Sequence, residues 1–178
     1  MSEKDRALIV YESMFGNTER IAQAIGDGLR SYLKTELVPV DQALDVVPDD
    51  VRLLVVGGPT HAFSMSRPST RQEAGKQGEL VTPVELGIRE WLAALKATAG
   101  PKRVQVATFD TRVKVRMLPG SAARSAAKLL RRMGYRLSDS GSFFVDDTTG
   151  PLRDDELERA RRWGEELGRK ATGAAKVA

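Results

Sequence analysis

Short apolar runs and helical repeats alternate along this chain of 178 residues. Ala7-Leu8-Ile9-Val10, inside Arg6–Tyr11, is a continuous apolar run bounded by polar residues and predicts a strand buried on both faces. Asn17–Tyr32 places Ile21, Ile25 and Leu29 at helical spacing, with Ala22 and Gly28 on the same side, and predicts an amphipathic helix. Glu36–Val40 reads as a short strand and Asp41–Asp50 as a loop with Pro48 near its end. Val51–Gly57 carries Leu53-Leu54-Val55-Val56, the strongest β run, and Gly57-Gly58-Pro59 is expected to stop it. From His61 to Val81 the pattern gives way to a long polar stretch with Arg67, Pro68, Arg71, Gly75 and Gly78. Connections of that length tend to be functional or mobile.

The second half continues the alternation. Thr82-Pro83-Val84-Glu85 matches a capping box with proline at the first helical position. It predicts a helix running to about Thr98, with Ile88, Trp91, Leu92 and Leu95 inward and Gly100-Pro101 at its end. Val104–Phe109 is a fourth strand. Ser121–Met133 is a helix with Ala122, Ala126, Leu130 and Met133 inward, Arg124, Lys128 and Arg131 opposite, and Gly134 at its C-cap. Tyr135–Val145 is a last extended segment, broken near Ser138–Gly141. Asp154 or Asp155 caps a final helix with Leu157, Ala160, Gly164 and Leu167 inward, and the tail 171–178 is expected to fray. No repeat or linker interrupts the series, so a single domain over 1–178 is expected. Five βα units with short apolar strands imply an α/β fold, a doubly wound parallel sheet with helices on both faces. Ligands in such sheets bind at the carboxyl ends of the strands, where the winding reverses.

Composition removes several kinds of chemistry. The chain has no cysteine, which excludes disulfides, thiolate nucleophiles, thiolate-bound zinc and iron–sulfur ligation. Its one histidine, His61, excludes a multi-histidine metal site. No apolar run approaches the roughly 20 residues of a membrane span, and a charged start leading straight into a strand is unlike a secretory signal. A cytoplasmic location is expected. Net charge is +4, and from Arg112 to Arg136 come Lys114, Arg116, Arg124, Lys128, Arg131 and Arg132 with no acidic residue among them. Such charge bears on partners rather than fold.

The candidate chemistry lies between the first strand and the first helix. Tyr11–Thr18 reads Tyr-Glu-Ser-Met-Phe-Gly-Asn-Thr. Ser13, Asn17 and Thr18 supply hydroxyl and amide donors, and Gly16 removes a side chain where a ligand comes close. A helix N-terminus presents free N–H groups and a positive dipole end, for which phosphate is the natural guest. The plainer alternative is an ordinary strand–helix turn capped by Asn17 or Thr18.

Three segments at the ends of the first, third and fourth strands, Ser13–Thr18, Gly58-Pro59-Thr60-His61-Ala62-Phe63 and Thr108-Phe109-Asp110-Thr111, together resemble the flavodoxin family. The likeness spans Ala7 to about Gly168. It implies a flavodoxin-like five-stranded sheet in the order 2-1-3-4-5 and FMN as a non-covalent cofactor. By this resemblance Ser13, Met14, Phe15, Gly16, Asn17 and Thr18 would hold the FMN phosphate. Pro59, Thr60, His61, Ala62 and Phe63 would edge one side of the ring system, and Phe109, Asp110 and Thr111 the other, with Arg112 near the pyrimidine end.

The sequence departs from the family in three ways. Many flavodoxins place a glycine in the first ring-binding loop, whereas none occurs between Thr60 and Arg67. The usual ring-stacking tryptophan and tyrosine are missing from the loops, leaving Phe63, Phe109 and His61 to cover a flavin, while Trp91 and Trp163 read as core or boundary. Typical members are acidic; this chain is basic, which raises the potential of a nearby flavin and attracts acidic proteins or phosphorylated cofactors such as NADPH. The implied function is an electron carrier between redox partner proteins. One alternative is an FMN-dependent NAD(P)H–quinone oxidoreductase, with Ser64–Leu80, Arg67 and Arg71 walling a nicotinamide pocket. Another is a flavin-free scaffold whose basic face binds proteins. A receiver-like phosphorylation switch is rejected because the third strand ends in Gly57-Gly58-Pro59 rather than aspartate. Duplex nucleic-acid binding is the weaker reading of the charge, since no recognition motif accompanies it.

Overall fold

The computed structural model describes residues 5–80, 83–96, 103–115 and 119–173. Its elements are β1 (Arg6–Tyr11), α1 (Asn17–Leu29), β2 (Lys34–Pro39), a 3-10 turn (Val40–Gln42), β3 (Val51–His61), β4 (Ser64–Met65), α2 (Pro68–Gly75), α3 (Ile88–Ala94), β5 (Gln105–Val113), α4 (Ala122–Arg132), β6 (Arg136–Val145) and α5 (Glu156–Thr172). Five strands pair in parallel in the order β2-β1-β3-β5-β6, and the two-residue β4 folds back antiparallel on the end of β3. With β4 set aside, this is the doubly wound order that the family resemblance implied.

The continuous apolar runs are buried on both faces because strand side chains alternate. Leu8 and Val10 join Leu54, Val56 and Val106 under Trp91, Leu92, Ala126 and Leu130. Ile9 joins Leu53, Val55, Ala107 and Phe109 under Ile21, Ile25, Leu29, Ala160 and Leu167. Burying one such side chain completely contributes about 1.5–3 kcal/mol, so the strands are fixed from both sides. No helix among the described residues is long and apolar enough to cross a membrane.

Several boundaries differ from expectation. β3 does not stop at Gly57; it runs on to His61, with Gly57 opposite Phe109, Gly58 opposite Asp110 and Pro59 opposite Thr111. The glycine serves packing rather than a turn, since a Cβ on Gly57 would lie 2.1 Å from the Phe109 ring. Likewise β5 continues to Val113, so Asp110–Arg112 belong to a strand rather than a loop. The polar stretch after His61 contains β4 and α2. Pro68 opens α2, and the Thr70 hydroxyl accepts from Arg67 N at 2.9 Å. The helix expected from Pro83 begins only at Ile88, and Pro83–Gly87 is turn and extended chain. Thr82 and residues 97–102, where that helix was to be capped and ended, lie outside the described residues, as does Arg116. β6 is unbroken: a register shift opposite Val106/Ala107 absorbs Ser138. Asp155 precedes α5 but makes no side-chain cap, and α5 stays helical through Ala171 to Thr172.

Candidate functional site

The loop after β1 is built around Ser13. Its side chain is fully buried, and its Oγ accepts from Gly16 N at 3.1 Å and Glu19 N at 3.2 Å. Ser13 thus braces the loop from inside. Gly16 sits at φ +92, a conformation that L side chains rarely adopt, which turns the chain into α1. Glu19 N is taken by Ser13 and Arg20 N by Gly16 O. The amides of Asn17 and Thr18 have no acceptor among the described residues, so two free N–H groups stand at the positive end of α1.

Met14, Phe15, Asn17 and Thr18 form one wall of a cleft whose other walls are Pro59, Thr60 and His61 at the end of β3 and Thr111, Arg112 and Val113 at the end of β5. The Thr18 and Thr111 hydroxyls meet at 2.6 Å across it. Thr60 is tied to α4 because its Oγ1 accepts from Ala122 N at 2.9 Å. A further wall comes from Val145 at the end of β6 and Thr148 just past it. Asn17 Nδ2 donates to Thr149 O at 3.1 Å and joins that turn to the first loop. The turn was not singled out from the sequence. Its signal was present in Asp146-Asp147-Thr148-Thr149-Gly150-Pro151, a breaker cluster at the carboxyl end of the last strand.

Other expected residues lie elsewhere. Phe109 does not edge the cleft; it is in the core, edge-on to Phe143 and Trp163 at 6.3 and 6.4 Å. Asp110 is buried beneath α4, its Oδ2 accepting from Ala123 N at 3.0 Å. Ala62 and Phe63 form the exposed tip of the β3–β4 hairpin with φ of 46° and 63°. The backbone there adopts the left-handed region without a glycine. Arg71 cannot wall a nicotinamide pocket, because it is wholly buried.

Arg71 instead belongs to a buried network behind the cleft. Its Nη1 donates to Ser66 Oγ at 2.7 Å and lies 4.0 Å from Glu12 Oε1; Nη2 donates to Glu90 Oε1 at 2.6 Å and Nε to Val84 O at 2.5 Å. Ser66 Oγ in turn donates to Glu12 Oε2, and Glu12 Oε1 accepts from Ile88 N at 2.8 Å, capping α3 from the loop after β1. Burial pushes the Glu12 carboxyl up, opposed by Ser66, the Ile88 amide and Arg71. His61 is pushed down to about 4 by burial and by the Arg71 cation, so its imidazole is neutral at pH 7. Ser66 and Glu90 had no motif to mark them, and Glu12, though inside the Tyr11–Thr18 segment, was given no role there.

The cleft suits a ligand with an anionic end and a polar ring. The free Asn17 and Thr18 amides serve the first. At the other end Arg112 lines the cleft, its buried Nε without a hydrogen bond and 3.8 Å from Asp110 Oδ1, which lies behind the wall under α4. Arg112 and Lys114 also lie 5.6 and 5.4 Å from the Phe144 ring centre, so positive charge gathers beside the β5–β6 end of the cleft.

A doubly wound parallel sheet with a hydroxyl- and glycine-bearing loop at its first βα turn defines the flavodoxin-like class. The sequence model of the flavodoxin family matches residues 9–72. A flavodoxin from the domain Archaea superimposes with a TM-score of 0.61 at 20% identity, covering 93% of this chain and 98% of the other. Flavodoxin 2 from Bacillus cereus gives 0.66 at 19%, covering 93% and 99%. A flavodoxin, WrbA-like protein from Agrobacterium tumefaciens gives 0.55 at 16%, covering 96% and 99%. No curated protein matches by sequence. The N-terminal part of the chain, residues 9–72, is thus similar in sequence to the flavodoxin family, and the chain has the flavodoxin fold. That family implies a flavin cofactor, and the polar atoms lining the cleft fit one.

Proposed function

We propose that the protein binds FMN in this cleft and carries electrons between protein partners. The observation that carries the reading is the pair of free amides at Asn17 and Thr18, set at the start of α1 beside the converging ends of β3 and β5. Backbone donors and a helix dipole hold a phosphate without a basic side chain. The bound flavin supplies the redox chemistry; the chain binds, orients and shields it. Arg112 and Lys114 favour a ligand or partner carrying negative charge on the β5–β6 side.

The partner is an acidic redox protein, and α4 is its docking face. Arg124, Lys128, Arg131 and Arg132 are exposed there and form no ion pair among the described residues. On α5, by contrast, Arg159 pairs with Glu156, Arg161 with Glu158 and Glu165, Arg162 with Glu158, and Lys170 with Glu166 and Asp139. The uncompensated charge therefore collects on a helix that begins against the β3–β4 hairpin at the cleft.

Calorimetric titration of FMN into folded apoprotein tests the cofactor. Binding is expected, and Asn17→Pro, which removes one of the two amides, should weaken it by about tenfold, the worth of one charge-assisted hydrogen bond. No heat with wild-type protein would overturn the reading. Loaded protein should stay inert toward NADPH and a quinone until a reductase is added; direct turnover would favour the oxidoreductase instead.

A further inference from the structure

We infer that α2 is a positioning helix: Arg71 anchors it, Thr70 fixes the ring of His61 as the Nδ1–H tautomer, and the cleft is thereby offered the Nε2 lone pair, which takes a ligand group bearing an N–H or O–H donor.

The assignment follows from hydrogen-bond valence. The Thr70 hydroxyl has one proton and two lone pairs. Its Oγ1 lies 2.9 Å from Arg67 N, which can only donate, and 3.0 Å from Arg67 O, which can only accept. It also lies 3.0 Å from His61 Nδ1. All three contacts are satisfied together only if the hydroxyl proton goes to Arg67 O and Nδ1–H donates to the remaining lone pair. The ring then carries no proton on Nε2. A neutral imidazole, kept so by burial and by Arg71, cannot donate from that atom. His61 lines the cleft, so the ligand sees an acceptor there.

Arg71 holds Thr70 in place because it is the next residue on the same helix and is itself immobilised. Four groups from three parts of the chain receive its guanidinium: Ser66 Oγ, Glu90 Oε1, Val84 O and, at 4.0 Å, Glu12 Oε1. Gly87 leaves room for this arrangement, since a Cβ there would stand 2.3 Å from both Arg71 Nη1 and Glu12 Oε1. The charged groups around the site are Arg71 and Arg67 on the α2 side, Glu90 and Arg89 on α3 and Glu12 after β1. Arg89 is occupied by Ser66 O, Ser64 Oγ and Met65 O at 3.2, 3.1 and 2.8 Å.

The ligand's identity rests on the FMN reading, whose ring system carries N–H donors; the tautomer does not. The single histidine makes the experiment direct, because two-bond ¹H–¹⁵N spectra of the labelled protein contain one imidazole. In apoprotein at pH 7 the expected result is a protonated Nδ1 and an unprotonated Nε2. Thr70→Val should release the ring to the Nε2–H form that free histidine prefers, and Thr70→Ser should restore Nδ1–H. Arg71→Met should raise the His61 pKa and loosen the tautomer, and Arg71→Lys should keep the pKa low. Should Arg71→Met not fold, the Thr70 pair still decides. An Nε2–H ring in wild type, or a tautomer indifferent to Thr70→Val, would overturn the inference. Adding FMN separates the two claims. If FMN does not bind, the cofactor reading fails while the apoprotein tautomer stands; if it binds and Nε2 does not shift, the donor assignment fails.

Discussion

His61 shows how much one residue's surroundings decide. As a surface imidazole it would titrate near 6.5; in the fold it is held at about 4. Between those values the unfolded chain binds a proton that the folded one does not, so stability rises with pH across that window and is lost as pH falls through it. Glu12 acts with the opposite sign, since burial raises its carboxyl and its contribution declines as pH climbs above the ordinary 4.5. His61→Gln removes only the first effect. In urea unfolding at pH 6.5 and pH 4, wild type should lose about 2–3 kcal/mol more than His61→Gln, and equal losses would contradict the burial of the ring. The histidine itself was legible in the sequence as the one imidazole in a cofactor loop. Its neutrality was not, because Arg71 lies ten positions away in a stretch that read as polar loop.

Among the elements, the β3–β4 hairpin was the least legible. A two-residue hairpin loop with φ > 0 at both positions ordinarily carries Asn-Gly or a relative, whereas here it carries Ala62-Phe63. Nothing local announces the turn. Tertiary contacts impose it: Ser64 Oγ meets Ser125 Oγ at 3.0 Å, Arg89 holds Ser64 and Met65, and Thr60 caps α4. The left-handed angles cost roughly 1–2 kcal/mol per non-glycine residue. Ala62→Gly relieves that strain but adds freedom to the unfolded chain, so a net gain of about 0.5–1 kcal/mol is expected. Phe63→Gly tests the second position without opening the core, as Phe63 is 52% exposed. Denaturant midpoints that fall in both variants would argue against strain at the tip. The displaced start of α3 has a similar cause. The capping-box pattern beginning at Thr82 was overridden by Glu12, which caps Ile88 from the end of β1, a partner that no local motif contains.

For the whole molecule, the distribution of charge separates two kinds of surface. On α5, acidic residues at helical spacing pair with Arg159, Arg161, Arg162 and Lys170; exposed pairs of this kind are worth little individually, but they offset most of that helix's positive charge. On α4 no ion partner among the described residues neutralises Arg124, Lys128 and Arg131. With poly-L-glutamate as an acidic probe, replacing these three by Gln should weaken association about tenfold at low salt, about 0.5 kcal/mol per charge. The difference should vanish near 1 M salt, where screening acts within about 3 Å. Arg162→Gln, whose guanidinium already faces Glu158, should leave binding unchanged, and an equal loss there would remove α4 as the docking face. By itself the sequence determined the core strands, the helices α1, α4 and α5 and the loop before α1, because apolar periodicity and a strand–loop–helix junction are local facts; the strand order came from the family resemblance. Only the tertiary structure decided that Ser13 faces inward, that Phe109 belongs to the core, and that Glu12, Ser66, Arg71 and Glu90 meet. The reason is physical: whether a polar side chain serves a ligand or a buried partner depends on groups brought to it from distant parts of the chain.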